Sequence, residues 1–254
     1  MAILMNQKKL STKKILEVYQ RLFINQCYLC HAKHIGSLCS FCEIGFSRNQ
    51  FACQICQRTT QSHHNFICGQ CQTSLPPYDV CLAPLRFEGI TKNLIHAIKF
   101  HQQAHYIRPL IQLLYQALAE YYQSPNTWPT QLVFVPSHPM RIKERGFCQT
   151  QLMAFELHKT LLLHIDSNTP RFTQQSPITK IKNTQAQHTL SRKQRIENQK
   201  NIYQITGKID THVALFDDVM TSGNTLENCT KQLKESGAEQ VDIWVIARTP
   251  EKNE

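Results

Sequence analysis

The sequence predicts an α/β protein: a doubly wound, mainly parallel sheet with flanking helices, behind a small N-terminal module built around cysteine-bound metal. The order of its apolar segments predicts the sheet. Short apolar runs at Leu132–Val135, Val213–Phe216 and Gln240–Ala247 alternate with helical patterns, and such alternation is satisfied by a parallel sheet covered on both faces. A second observation predicts the module, because eight of the eleven cysteines fall into four Cys-x-x-Cys pairs.

The first element is a helix over Lys8 to Ile24, where Ile15, Val18, Leu22 and Phe23 recur at helical spacing and are expected to pack on the cysteine module. The pairs follow as Cys27/Cys30, Cys39/Cys42, Cys53/Cys56 and Cys68/Cys71. A two-residue spacer lets one tight turn present both sulfurs to a single ion, and two such turns complete a tetrahedral site; thiolate sulfur selects Zn²⁺. Gaps of eight residues between the first two pairs and eleven between the last two suit sequential pairing. Cys27, Cys30, Cys39 and Cys42 would then form one site, and Cys53, Cys56, Cys68 and Cys71 the other. Spacing alone leaves open a crossed arrangement in which the first and third pairs share an ion.

A disulfide scaffold would need an oxidising compartment, and a redox motif would be one Cys-x-x-Cys on an α/β scaffold, not four between Cys27 and Cys71. Four thiolates fill the tetrahedron. Zinc is therefore read as structural, supplying much of the module's folding free energy, and His31, His34, His63 and His64 are read as loop residues. Pro76 and Pro77 within Leu75 to Tyr78 mark the boundary between residues 1–78 and 79–254.

Beyond the prolines the pattern predicts an extended stretch over Val80–Phe87 and helices over Thr91–Phe100 and Pro109–Tyr121, with Ile107, Leu110, Ile111, Leu114 and Leu118 on one face. A strand follows over Leu132–Val135, stopped by Pro136, and then a helix over Gly146–Leu163. Arg171 to Thr206 is polar and basic and reads as a mobile arm, either a solvated loop or a lid over a phosphorylated substrate. The strand Val213–Phe216, a helix over Thr225–Ser236 stopped by Gly237, and the strand Gln240–Ala247 complete the pattern.

The 254 residues suit one medium and one small module, since independent cores need roughly 100 to 150 residues. No apolar run approaches the length of a membrane-spanning helix, and Met1 to Leu16 carries four lysines without the hydrophobic centre of a secretory signal. A cytoplasmic address without membrane insertion is expected. The net charge of +10 would fall to +6 with two four-thiolate zinc sites, each contributing −2. That moderate excess favours polyanionic partners, and equally fits an ordinary soluble surface.

The most informative stretch runs from Val213 through Asp217, Asp218, Thr221, Ser222, Gly223, Asn224 and Thr225. An apolar strand leads into paired carboxylates and then into a small-residue turn that opens a helix. Backbone N–H groups at a helix N-terminus bind phosphate, helped here by the hydroxyls of Thr221, Ser222 and Thr225, and Gly223 permits close backbone approach. The two acids suit sugar hydroxyls and a nearby Mg²⁺. Phosphate at one end and a diol at the other describe a ribose 5-phosphate.

This segment resembles the phosphoribosyl diphosphate signature of type I phosphoribosyltransferases. The resemblance implies Mg²⁺-assisted displacement of pyrophosphate at the anomeric carbon, with Asp217 and Asp218 holding the ribose and stabilising developing positive charge. Two further stretches resemble the ComF competence-protein family. One is Val133-Phe-Val-Pro136-Ser-His138-Pro-Met-Arg141-Ile-Lys-Glu-Arg145-Gly146-Phe147-Cys148-Gln149; the other is Thr184-x-x-Gln187-x-x-Leu190-x-x-x-x-Arg195-x-x-Asn198. Planar guanidinium groups match phosphate oxygens, so Arg141 and Arg145 are candidates to hold the diphosphate, and Lys99 to add a point charge. The chain departs from the family pattern at Cys148, where asparagine is usual, and at Lys180 and Lys182, where arginines are common.

The ComF resemblance covers nearly the whole chain. It implies a role in DNA uptake during natural transformation, acting on single-stranded DNA, with a DNA translocase and a recombination mediator as partners. A transferase with an unidentified acceptor is the first reading. A non-catalytic module binding nucleotide and single-stranded DNA is the second, and a phosphoribosyl-sensing regulator the third.

Overall fold

In a computed structural model the described residues are 26–59, 66–137, 139–165, 168–181 and 202–250. The expected helix over Lys8–Ile24, His63, His64, His138, Lys182 and the stretch from Thr184 to Asn198 lie outside them. The chain divides into two compact units, Met1–Gly45 and Phe46–Glu254.

In the first unit, Cys27 and Cys30 sit on a tight turn closed by the His31 N–H donating to the Cys27 carbonyl at 2.9 Å, with His31 in the left-handed region at φ 59°. Cys39 caps the short helix α1, Ser40–Ile44, which carries Cys42. The second cysteine quartet belongs to the larger unit. There a matching turn is closed from Gln57 (φ 55°) to the Cys53 carbonyl, and the helix α2, Gly69–Thr73, follows Cys68 and carries Cys71. The composition break at Pro76 and Pro77 thus falls inside the larger unit, because Cys53, Cys56, Cys68 and Cys71 pack into one apolar cluster with Tyr78, Cys81, Val213, Leu215 and Met220.

The larger unit is built on a parallel sheet with flanking helices, as the apolar pattern predicts. Its strands are β1 (Val80–Leu82), β2 (Leu85–Arg86), β3 (Gln131–Phe134), β4 (Arg171–Phe172), β7 (His212–Met220) and β8 (Gln240–Arg248). The order is β1-β8-β7-β3-β4, with β2 also on β8, and every pairing is parallel. The long strands β7 and β8 are almost wholly buried, which explains their near-continuous apolar runs. Between the strands lie α3 (Gly89–His101), α4 (Ile107–Tyr121), α5 (Pro139–Arg145), α6 (Gln149–His164) and α7 (Asn224–Glu235). The predicted face of α4 is buried at Ile107, Leu110, Ile111, Leu114 and Leu118.

Three expectations need correction. The extended stretch Val80–Phe87 is two strands, interrupted at Ala83 and Pro84, since proline cannot donate to a ladder. The helix expected from Gly146 starts at Gln149, and a separate short helix, α5, precedes it. The segment read as a mobile arm contributes β4 to the sheet and an antiparallel pair, β5 (Ile178–Lys180) with β6 (Tyr203–Ile205). Strands of two or three residues are too short to show an alternating pattern. Among the described residues no helix is long and apolar enough to cross a membrane.

From β3 the chain steps outward to β4, then returns to β7 on the other side of β3 and continues to β8. The connections leaving the carboxyl ends of β3 and β7 therefore diverge, and ligands of open parallel sheets bind in the crevice such a reversal creates.

Candidate functional site

Asp217 and Asp218 lie near the carboxyl end of β7, in the crevice beside β3. Side chains alternate along a strand, so these neighbours point to opposite sides and meet different surroundings. Asp218 is buried and heavily bonded. Its Oδ2 receives the Lys99 ammonium from α3 at 2.5 Å and the Gln149 amide from α6 at 2.9 Å, and its Oδ1 accepts the Val219 N–H at 2.8 Å. Gln149 Oε1 in turn accepts a guanidinium N–H of Arg145 at 2.5 Å. Arg145, Gln149, Asp218 and Lys99 thus form one chain of polar contacts that joins the β3 connection to the end of β7. Thr150 fixes the same connection by donating to the Val135 carbonyl at 2.7 Å.

Asp217 keeps fewer contacts. Its Oδ1 accepts the Asp218 N–H at 2.9 Å. Burial, and after it the charge of Asp218, raise the Asp217 carboxyl well above the ordinary carboxylate range. The Lys180 ammonium of β5 lies close enough for the two charges to influence each other, and Lys180 is lowered first by burial and then by the charge of Arg141. Arg141 is exposed on α5. Lys180 also sits over the Tyr203 ring at 5.8 Å, and Tyr203 lies beside Thr225. The pair β5 and β6 thereby brings one cation and one phenol to the turn after β7 and its acids.

After β7 the chain turns through Thr221, Ser222 and Gly223 into α7. Gly223 is the N-cap and adopts φ 89°, a left-handed conformation that L side chains rarely take. A Cβ there would meet Met220 Cε at 2.8 Å. Thr221, Ser222, Asn224 and Thr225 are exposed, so the turn that opens α7 is open to solvent. Behind the loop stands Arg248, the last residue of β8, only 2% exposed. Its guanidinium donates to the carbonyls of Met220, at 2.8 Å, and of Thr221.

The cysteines gather as two quartets, Cys27, Cys30, Cys39 and Cys42, and Cys53, Cys56, Cys68 and Cys71. The grouping is the sequential one, and within each quartet the sulfurs lie within 4.8 Å of one another, so each could hold a metal ion. Amide N–H groups already point at sulfur, from Cys39 to Cys27 at 3.4 Å and from Cys68 to Cys53 at 3.3 Å. Burial raises the Cys27 and Cys53 thiols, but the surrounding N–H groups outweigh it and bring them down to about 6 and about 7. A donor set of four sulfurs within reach of one ion fits Zn²⁺.

The residues predicted for the phosphate end, Asp217 to Thr225 with Lys99 and Arg145, are brought to one crevice. Lys99 and Arg145 both enter the polar chain centred on Asp218. Gln149, Tyr203 and Arg248 were not among the predicted site residues, and Lys180 was noted only in the arm and as a position where arginine is common. The one cue was Arg248, a charge ending an apolar strand.

No family model matches the chain. Curated proteins do. DNA utilization protein YhgH of Salmonella typhimurium is 28% identical over 229 residues, covering 88% of this chain and 96% of its own length. The Escherichia coli protein of that name and Competence protein F of Haemophilus influenzae are also 28% identical, over 232 and 231 residues, with the same coverage. The chain is similar to these proteins over most of its length. The parallel sheet with flanking helices and the two cysteine quartets are consistent with the expected phosphoribosyltransferase-like architecture with a zinc module.

Proposed function

We propose that this ComF-type protein binds phosphoribosyl diphosphate with Mg²⁺ in the crevice between β3 and β7, and acts in DNA uptake on single-stranded DNA. One observation carries the reading: Asp217 and Asp218 lead into a solvent-facing turn whose left-handed Gly223 opens the N-terminus of α7. The 5-phosphate would take the amides and hydroxyls of Thr221 to Thr225. Asp217 is the acid with bonding capacity to spare, since Asp218 is occupied by Lys99, Gln149 and Val219. Asp217 would therefore meet the ribose hydroxyls and Mg²⁺. When bound, Mg²⁺ neutralises the diphosphate charge. Lys180 would add positive charge beside Asp217, and Arg141 beside Lys180.

Both quartets hold zinc in this reading, structurally, with no coordination position open for water. The names of the relatives support a part in DNA utilisation and competence, and a DNA translocase and a recombination mediator are the expected partners in the cytoplasm. Calorimetry with phosphoribosyl diphosphate and Mg²⁺ tests the binding. Wild-type protein should bind and Asp217→Ala should bind at least about tenfold more weakly; absence of binding to wild type sinks the reading.

The engagement of Lys99 and Arg145 in the Asp218 chain favours a second reading, recognition of the phosphoribosyl group without turnover. Pyrophosphate release across an acceptor panel that includes single-stranded DNA separates the two. Release identifies a transferase, and tight binding without release identifies the binding module.

A further inference from the structure

The guanidinium of Arg248 touches two parts of the larger unit that sequence analysis assigned to different modules. On one side it donates to the carbonyls of Met220 and Thr221, the backbone that enters the phosphate loop. On the other, its Nε donates to the carbonyl of Cys56 at 3.3 Å, at the close of the second quartet's turn. The register of β7 and β8 sets this up, because Met220 pairs with Arg248 and places the guanidinium level with the start of the loop. Cys56, Cys71, Tyr78, Ser222, Glu227 and Arg248 line one narrow cavity of about 60 Å³. Quartet, loop hydroxyl and guanidinium therefore share a common space.

We infer that Arg248 is a positioning residue that ties the second cysteine quartet to the phosphate loop, so that metal occupancy of the quartet governs the loop's order and its hold on an anion. The physical reason is geometric. A guanidinium is a rigid planar fork, so moving the Cys56 carbonyl pulls on the bonds to Met220 and Thr221 at the same time. Emptying the quartet frees the turn that carries the Cys56 carbonyl, and with it one anchor of a fork whose other hydrogen bonds shape the loop.

The order of the loop is independent of the phosphoribosyl reading; only the consequence for anion affinity rests on it. Hydrogen exchange of the full chain, read by mass spectrometry alongside native-mass zinc content, tests the two separately. Peptides covering Met220–Thr225 should exchange about tenfold faster in Arg248→Met that retains its zinc, the order expected when charge-assisted hydrogen bonds to the loop are lost. Arg248→Lys, which keeps the charge and loses the fork, should fall between. Wild-type protein stripped of zinc by a chelator should show the same acceleration in the loop while peptides from α4 stay protected. This arm needs no variant to fold. Unchanged loop exchange after stripping, or equal acceleration in α4, overturns the coupling. With zinc retained, phosphoribosyl diphosphate affinity should drop about tenfold in Arg248→Met. If wild type binds no such ligand, the functional reading fails while the exchange result still decides the coupling.

Discussion

The Lys99 ammonium lies 2.5 Å from Asp218 Oδ2, with the two side chains only 18% and 7% exposed. A largely buried ion pair is costly to break from one side, because the survivor is left as an uncompensated charge. Lys99→Met or Asp218→Asn alone should each destabilise the larger unit by about 2–4 kcal/mol, with Asp218→Asn the milder since an amide can still bond Gln149. The double variant should be less destabilised than the sum of the two. Urea denaturation of the four proteins in a double-mutant cycle measures this, and additive losses would show that the pair is not coupled.

Asp217 gives a pH signature. Its carboxyl is raised in the folded protein, by burial first and then by Asp218, while in the unfolded chain it ionises near about pH 4. Between those two values the native state keeps a proton that the unfolded state has released, so stability falls as pH rises through the window. Asp217→Asn has no proton to keep. Its stability advantage over wild type should grow from about pH 4 upward and level off above the raised folded value. Melts of both proteins at about pH 5.5 and about pH 8 check this, and a pH-independent gap is the contrary result.

The loop depends on backbone conformation at Gly223. Alanine there meets a left-handed φ of 89° and places its Cβ 2.8 Å from Met220 Cε. The methionine end can swing away, but the backbone strain stays. Gly223→Ala should cost about 1–2 kcal/mol of stability and weaken phosphoribosyl diphosphate binding, while Gly223→Asn, a residue that tolerates the left-handed region, should lose less of both. Thermal melts and calorimetry on the two variants are the measurements. Equal behaviour of Ala and Asn would mean that φ is not the constraint.

Much of this site was legible from local pattern. The apolar strand, twin acids, small-residue turn and helix occupy one continuous stretch, and their order alone predicts a phosphate cradle. The face of α4 was equally readable because five buried side chains repeat at helical spacing. What stayed hidden was contact across the sheet. Lys99, Gln149, Lys180, Tyr203 and Arg248 approach the loop or its acids from five different elements, and only the strand order brings them together. The segment carrying Lys180 and Tyr203 looked like a polar arm because a two- or three-residue strand gives no period to detect. The second quartet seemed to belong with the first by spacing, yet its cysteines are buried in the core of the larger unit.

That difference in burial would make the two quartets unequal as metal sites. In the first, Cys30 is exposed and Cys39 and Cys42 are half-buried, whereas all four cysteines of the second are buried. A chelator must reach a sulfur–metal bond from solvent, so accessibility orders the rates even when both ions sit in chemically identical sulfur sets. Zinc released to a chromogenic chelator should therefore appear in two phases of equal amplitude, with the fast phase lost in Cys30→Ser. Thermodynamic consequences should follow the same division. Cys53→Ser opens a polar defect among Tyr78, Cys81 and Val213 and should lower the melting temperature of the larger unit, while Cys30→Ser should leave that transition in place. A single release phase, or a Cys30→Ser protein that melts like Cys53→Ser, would contradict the inequality.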